Sequence, residues 1–257
     1  MKAPLLFLLL FIPFAFRFQQ KPGMVWQDGF ELYEWKKNWK IREEGSWGME
    51  NTDVLNRHST SQFLRINFPE GSLNKGRKFH NGGIHFTSDL PESDSLYLRY
   101  YIRLGQYFPI RNTIILPGLS FQDKNYKTST DFNVVINSEG KPGISFQSLQ
   151  GNKITNLASI EVFLLEKNKW YCIEQRIKLN EIGSSNGELK LWIDGVLVMG
   201  KSNLNLKTSS YQKLNAINFS AFIKNNNNSS VFERETNMDF DSFVASSDYI
   251  GIIYPKR

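Results

Sequence analysis

Cysteine is almost missing: Cys172 is the only one in 257 residues, so no internal disulfide can form. Tyr171 and Ile173 flank it in an apolar strand, where a buried structural thiol is expected. Histidine is nearly as scarce. His58, His80 and His85 show neither H-x-x-x-H nor H-E-x-x-H spacing, which excludes the common zinc motifs. G-x-S-x-G, P-loop and G-x-G-x-x-G patterns are also absent, so no cofactor is expected to be required. A linker, a charge block and a fixed-period repeat are lacking too, which leaves a single domain. Long apolar runs are limited to Ala3–Phe16. Its 14 residues at about 1.5 Å each reach roughly 21 Å, short of the ~30 Å hydrocarbon core. Met1-Lys2 precedes the run, and Arg17, Gln19, Gln20 and Lys21 end it. Residues 1–21 therefore read as a signal peptide or N-terminal anchor, ahead of one domain over 22–257. The protein is expected to be exported, to the extracellular space, the periplasm or the cell surface.

Charge of one sign is in short supply as well. The net charge is +6, and Lys2, Arg17 and Lys21 of the leader account for three of it, leaving +3. That mild excess suits an anionic glycan and is too weak for a nucleic-acid partner. A monomer is expected.

Period-two alternation is what the chain has in quantity. Leu96, Leu98, Tyr100, Ile102 and Leu104 share one strand face, and Tyr97, Arg99, Tyr101 and Arg103 share the other. The pattern returns in Leu64–Phe68, Phe132–Ile136, Ile173–Leu179, Glu188–Asp194, Ile217–Ile223 and Met238–Val244. Turn signals separate the runs: Pro69-Glu70-Gly71, Asn81-Gly82-Gly83, Pro117-Gly118, Glu139-Gly140, Asn186-Gly187 and Asp194-Gly195. The last predicts a type I′ hairpin. Only Glu31–Lys40, with Leu32, Trp35 and Trp39 at helical spacing, predicts a short helix. Many short strands with regular turns imply an all-β sandwich or jelly roll of two antiparallel sheets.

The polar faces suggest a ligand. Tyr97, Arg99, Tyr101 and Arg103 form an aromatic–cation stripe suited to sugar rings and carboxylates. The competing reading is cross-strand packing on a solvated face. Glu174, Arg176 and Lys178 alternate onto one face and read first as a cross-strand charge ladder. His85 points the same way as Thr87 and is a candidate base. Glu174 and Asp131 are the two carboxylates to consider for glycosidase chemistry, although no E-x-D-x-x-E strand is present.

Several segments resemble the alginate and glucuronan lyases, polysaccharide lyase families 14 and 20. They are Leu64-Arg-Ile-Asn-Phe-Pro-Glu-Gly-Ser72, Gly82-Gly83-Ile84-x-Phe86, Leu96–Leu104 and Leu116-Pro-Gly-Leu119. The most specific block is Trp170-x-x-Ile-Glu-Gln-x-Ile-Lys-Leu-Asn180 with Asn186-Gly-x-Leu-x-x-Trp-x-Asp-Gly195. Asp239-Phe-Asp-Ser-Phe-Val-Ala-Ser246 resembles the closing strand. The resemblance implies a concanavalin-like β-jelly roll with a concave, glycan-binding sheet, and β-elimination of uronate polymers as the ancestral activity. It also implies a Lys at the position of Ile115, Ser and Arg at Asp131 and Asn133, and Tyr at Ser145 and Gln147. All five are replaced here. A surviving lyase would have to use Tyr101 or His85 to transfer protons and Arg99 or Arg103 to hold the carboxylate. The cleft is expected to be lined by Arg99, Tyr101, Arg103 and Asn133, with Arg176 and Lys178 from a neighbouring strand. Asp28 and Glu31 near the start and Asp239 or Asp241 near the end are candidate ligands of a structural Ca²⁺, since such sandwiches often join their terminal strands. The alternative function is a surface interaction or adhesion protein that has kept only the scaffold.

Overall fold

Alternating apolar residues become strands wherever the sequence predicts them. The computed structural model describes residues 23–31, 34–41, 48, 50, 52–58, 61–71, 83–122, 129–147, 154–224 and 232–252. The leader, His80, the segment holding Lys124, Tyr126 and Lys127, and the Asn225–Asn228 run lie outside the described residues. The first strands are β1 (Met24–Asp28), β2 (Thr52–His58), β3 (Ser61–Phe68), β4 (Ile84–Ser93) and β5 (Ser95–Leu104). There follow β6 (Thr113–Gln122), β7 (Ser129–Ile136), β8 (Pro142–Gln147), β9 (Ile154–Ala158) and β10 (Trp170–Lys178). The last are β11 (Gly187–Ile193), β12 (Val196–Leu204), β13 (Leu214–Lys224) and β14 (Thr236–Ser246). The expected helix over Glu31–Lys40 is a single 3₁₀ turn, Trp35–Asn38.

Two antiparallel sheets result. The eight-stranded sheet runs β12-β11-β10-β5-β14-β3-β2, with β1 also on β14. The six-stranded sheet runs β4-β13-β6-β7-β8-β9. Strand β14 gives one edge to β5 and divides its other between β3, at Thr236–Phe240, and β1, at Phe243–Ser246. The changeover falls at Ser242, whose φ is 52°, inside a bulge. Asp194 and Gly195 have φ of 48° and 76° between β11 and β12, the two positive values a type I′ turn requires.

The core lies between the sheets and is unusually aromatic. Trp39 is its hub, with Trp26, Phe86, Phe219 and Phe243 edge-on at 4.9, 5.0, 5.5 and 5.7 Å. Its Nε1 donates to Asp28 Oδ2 at 2.8 Å, and the adjacent Lys40 N–H donates to Thr87 O of β4. The segment after β1 thus crosses from one sheet to the edge of the other, and buried tryptophans rather than helical hydrogen bonds hold it. That is why the helical spacing of Trp35 and Trp39 produced only one turn. Cys172 is buried and unpaired, and burial pushes its thiol up to about 11.

Candidate functional site on the six-stranded sheet

Because alternate residues of a strand face opposite ways, the outer face of the six-stranded sheet can be read from register. Across β13, β6 and β7, Asn218, Gly118 and Asn133 stand in one row. Gly118 follows a bulge at Pro117, and a Cβ on it would come within 2.0 Å of the Phe132 carbonyl. Having no side chain, it lets Asn218 Nδ2 reach across to Asn133 Oδ1 at 3.3 Å. The bulge is supported from beneath by the other sheet. Tyr100 donates to Pro117 O at 3.0 Å, and Gln175, in the amide orientation that satisfies it, donates to Phe132 O and accepts from Leu119 N.

A polar network continues from this row. Ser220 Oγ donates to Asn218 Oδ1 at 2.7 Å, and His85 Nδ1 lies 3.0 Å from the same hydroxyl. A hydroxyl has one proton, already given to Asn218, so His85 Nδ1 is the protonated nitrogen. Burial holds His85 down at about 4 and keeps it neutral. Asp131 adjoins Asn218 and Ser120, which favour its ionised form, but burial dominates and raises it to about 6.

Beside the network opens a hollow of about 450 Å³. Ile115, Val135 and Phe222 form its apolar walls, and Asn133, Ser145 and Asn156 supply amides and a hydroxyl. Lys141 and Lys224 stand at its margin, Lys141 paired with Glu139 at 2.7 Å. The positions of Ile115, Asp131, Asn133 and Ser145, on three different strands, therefore meet on one face. The two titrating groups make this face testable. A carboxyl whose folded pKa is raised stabilises the fold while protonated, fully so below about pH 4, and that contribution is lost as pH climbs through about 6. Asp131→Asn is therefore expected to be more stable than the parent at about pH 7 to 8, by on the order of 1–3 kcal/mol, and to gain nothing at about pH 4. Thermal denaturation across pH checks this. His85 has the opposite sign: its contribution is present above 6.5 and lost as pH falls towards about 4.

The remaining sequence candidates lie elsewhere, which corrects the expectation of one cleft. Arg99, Tyr101 and Arg103 are on β5 and Arg176 and Lys178 on β10, in the eight-stranded sheet. Asn133 and His85 are in the six-stranded sheet, so the core separates the two sets. The same division parts Glu174 from Asp131 and rules them out as a glycosidase pair. On the eight-stranded sheet Arg103 binds Asp239 through Nε and Nη2, at 2.9 and 2.6 Å, and packs against Trp170 and Phe63. Arg99 is buried over the Tyr101 ring, and desolvation pushes Tyr101 up to about 12. Arg176 and Lys178 join a cross-strand ladder with Lys190 around Glu188, but Glu174, expected in that ladder, is buried and accepts from the Ile250 and Gly251 N–H groups instead. The calcium candidates do not form a cage. Asp28 already accepts from Phe30 N, Asn38 and Trp39, Glu31 accepts from Gln62 N, and Asp241 from Ser242. Among the described residues no three acidic, histidine or cysteine side chains converge. Sequence reasoning missed Asn156, Asn218, Ser220 and Phe222. For Asn218, Ser220 and Phe222 the signal was the period-two alternation of Ile217–Ile223, which puts the three on one face, whereas Asn156 of β9 left no such trace.

Two antiparallel sheets packed face to face, with a hollow on one outer face, define a β-jelly-roll sandwich. The Polysaccharide lyase 14 family model matches residues 145–243, from β8 into β14. The marine PL-14 alginate lyase from Aplysia kurodai superposes with a TM-score of 0.70 over 86% of this chain and 98% of that one, at 17% identity. An alginate lyase from a Chlorella virus gives 0.62 over 76% and 88%, at 13% identity. An endo-β-1,4-glucuronan lyase from the fungus Trichoderma reesei gives 0.61 over 88% and 96%, at 10% identity. No curated protein sequence matches the chain.

Proposed function

We propose that this protein is an exported, monomeric polysaccharide-binding domain that holds acidic polysaccharide in the hollow of its six-stranded sheet without cleaving it. One observation carries the reading: four of the five positions where the family resemblance implies reactive residues converge on that face, as Ile115, Asp131, Asn133 and Ser145. β-Elimination needs cations to stabilise an enolate-like charge and a Lys or Tyr to move the proton. Isoleucine can do neither, and Asp131 adds negative charge once ionised. Amides, a hydroxyl and an aromatic wall are groups that bind sugar. Lys224 at the margin complements carboxylates.

Calorimetry with alginate, glucuronan, pectin and a neutral glucan tests the binding. Uronate polymers are expected to bind, and Phe222→Ala or Asn156→Ala to weaken them roughly fivefold, the loss of about 1 kcal/mol. Ultraviolet absorbance, which reports the C4–C5 double bond of elimination, is expected to stay flat. A folded protein that binds none of the polymers sinks the proposal, and a rise in absorbance sinks its non-catalytic half. A second reading, a surface interaction protein, is favoured by one feature. Ile160, Val162 and Leu164 are exposed apolar side chains just past β9, whose Asn156–Ala158 line the hollow. Capture of a protein partner that is lost in Val162→Asp, with no glycan binding, would select it.

A further inference from the structure

We propose that the outer face of the eight-stranded sheet carries a second binding site for acidic polysaccharide, centred on Trp192, Tyr97 and Tyr249. The proposal shares the ligand class of the hollow but uses residues on the opposite side of the sandwich. Three aromatic rings gather there: Trp192 and Tyr249 centroids are 5.3 Å apart, Tyr97 and Tyr249 6.1 Å, and Tyr97 and Trp192 6.2 Å. They come from β5, from β11 and from the chain beyond β14, so sheet pairing alone does not assemble them.

Glu174 does the assembling. Its carboxylate is 2% exposed and accepts from the backbone N–H groups of Ile250 and Gly251, at 2.8 Å each. This pins the C-terminal segment across β10 and stands Tyr249, itself 48% exposed, over the sheet beside Trp192. A buried carboxylate is costly unless hydrogen-bonded, and here its bonds fix the position of a surface aromatic. Glu174 is accordingly a positioning residue.

The surrounding charge selects the ligand. Arg176, Lys178 and Lys190 lie 3.2, 3.6 and 3.5 Å from Glu188, three cations on one carboxylate, so this cluster on β10 and β11 carries a positive excess that exceeds the single buried charge of Glu174. The Arg176 guanidinium also lies over the Tyr97 ring at 5.5 Å. Aromatic faces take the apolar faces of sugar rings, and the surplus cations take carboxylates. A neutral glycan would use only the rings, and a nucleic acid would call for a far broader basic surface.

The test uses the full chain and alginate oligosaccharides, by calorimetry. Two equivalents per chain are expected. Trp192→Ala and Tyr249→Ala should remove one equivalent and leave the other unchanged, and Trp192→Phe should keep both. Lys190→Glu should weaken that equivalent roughly tenfold and flatten its salt dependence. Glu174→Gln should weaken it while leaving the hollow's equivalent intact. Long polymer should be cross-linked by the parent, visible as turbidity, and not by Trp192→Ala. If Trp192→Ala and Tyr249→Ala fold and bind as the parent does, the second site is overturned and the hollow stands. If Phe222→Ala has no effect while Trp192→Ala abolishes binding, the hollow reading falls and this face stands. Equal binding of a neutral glucan at this face overturns its selectivity for acid.

Discussion

Asp239→Ala is expected to destabilise the protein by about 3–5 kcal/mol, because it leaves two guanidinium groups without their shared anion. Asp239 is fully buried. Its oxygens accept from Arg65 Nε and Nη2 at 2.7 and 3.0 Å, from Arg103 Nε and Nη2 at 2.9 and 2.6 Å, and from Asn237 Nδ2 at 2.8 Å. The three strands β3, β14 and β5 are joined side by side at this point. The two arginine side chains are only 29% and 26% exposed, so water would replace the lost carboxylate poorly. The Tm should fall by roughly 10 °C, at a few degrees per kcal/mol. Urea denaturation measures the loss directly, and a cost below about 1 kcal/mol would mean that the bridge is ornamental. Arg103→Ala should likewise destabilise the fold while leaving glycan affinity unchanged, since this guanidinium is committed to Asp239.

Trp39→Ala should cost as much or more, about 4–6 kcal/mol. Deleting a buried indole typically costs 3–5 kcal/mol, and here the Nε1 donor to Asp28 disappears with it. Four edge-on aromatic neighbours lose their common partner at once. Domains of ordinary stability have only 5–15 kcal/mol in total, so the variant is expected to be near the limit of folding at 37 °C. Trp39→Phe separates the two contributions. It keeps one ring in the cluster and loses the hydrogen bond together with the second ring of the indole, so a cost of about 2–3 kcal/mol is expected. Chemical denaturation of both variants checks the division. Equal costs would show that the Asp28 hydrogen bond, rather than ring packing, holds the segment.

Strand positions were legible because the cause is local. Leu96 to Leu104 alternate in the sequence, and the same five apolar residues are buried in β5. The Asp194-Gly195 turn was legible for the same reason, since both residues tolerate positive φ. Sheet membership was not. Period two says which residues share a face of one strand, but not which of two sheets that strand joins. Arg103 and Asn133 therefore read as neighbours in the sequence and are separated by the core in the fold. The fate of a charge was equally hidden. Whether Arg103 waits for a substrate or is spent on Asp239, 136 positions away, depends on strand order, and strand order leaves no periodic trace. The hollow was traceable mainly through the motif resemblance, which placed Ile115, Asn133 and Ser145 at corresponding positions without a view of the face they share.

The divided edge of β14 also sets a timetable for folding. This strand lies in the interior of the eight-stranded sheet and bonds to β5, β3 and β1, yet among the described residues it is the last strand in sequence order. Met24 pairs with Ser246, so the two ends of the described sequence meet only when nearly all of it is available. Such long-range closure is slow, and a nascent chain has no native partner for β1 until β14 has emerged. The eight-stranded sheet is therefore expected to form only once β14 has emerged. Losing the eleven residues of β14 would split the sheet down its middle instead of trimming its border.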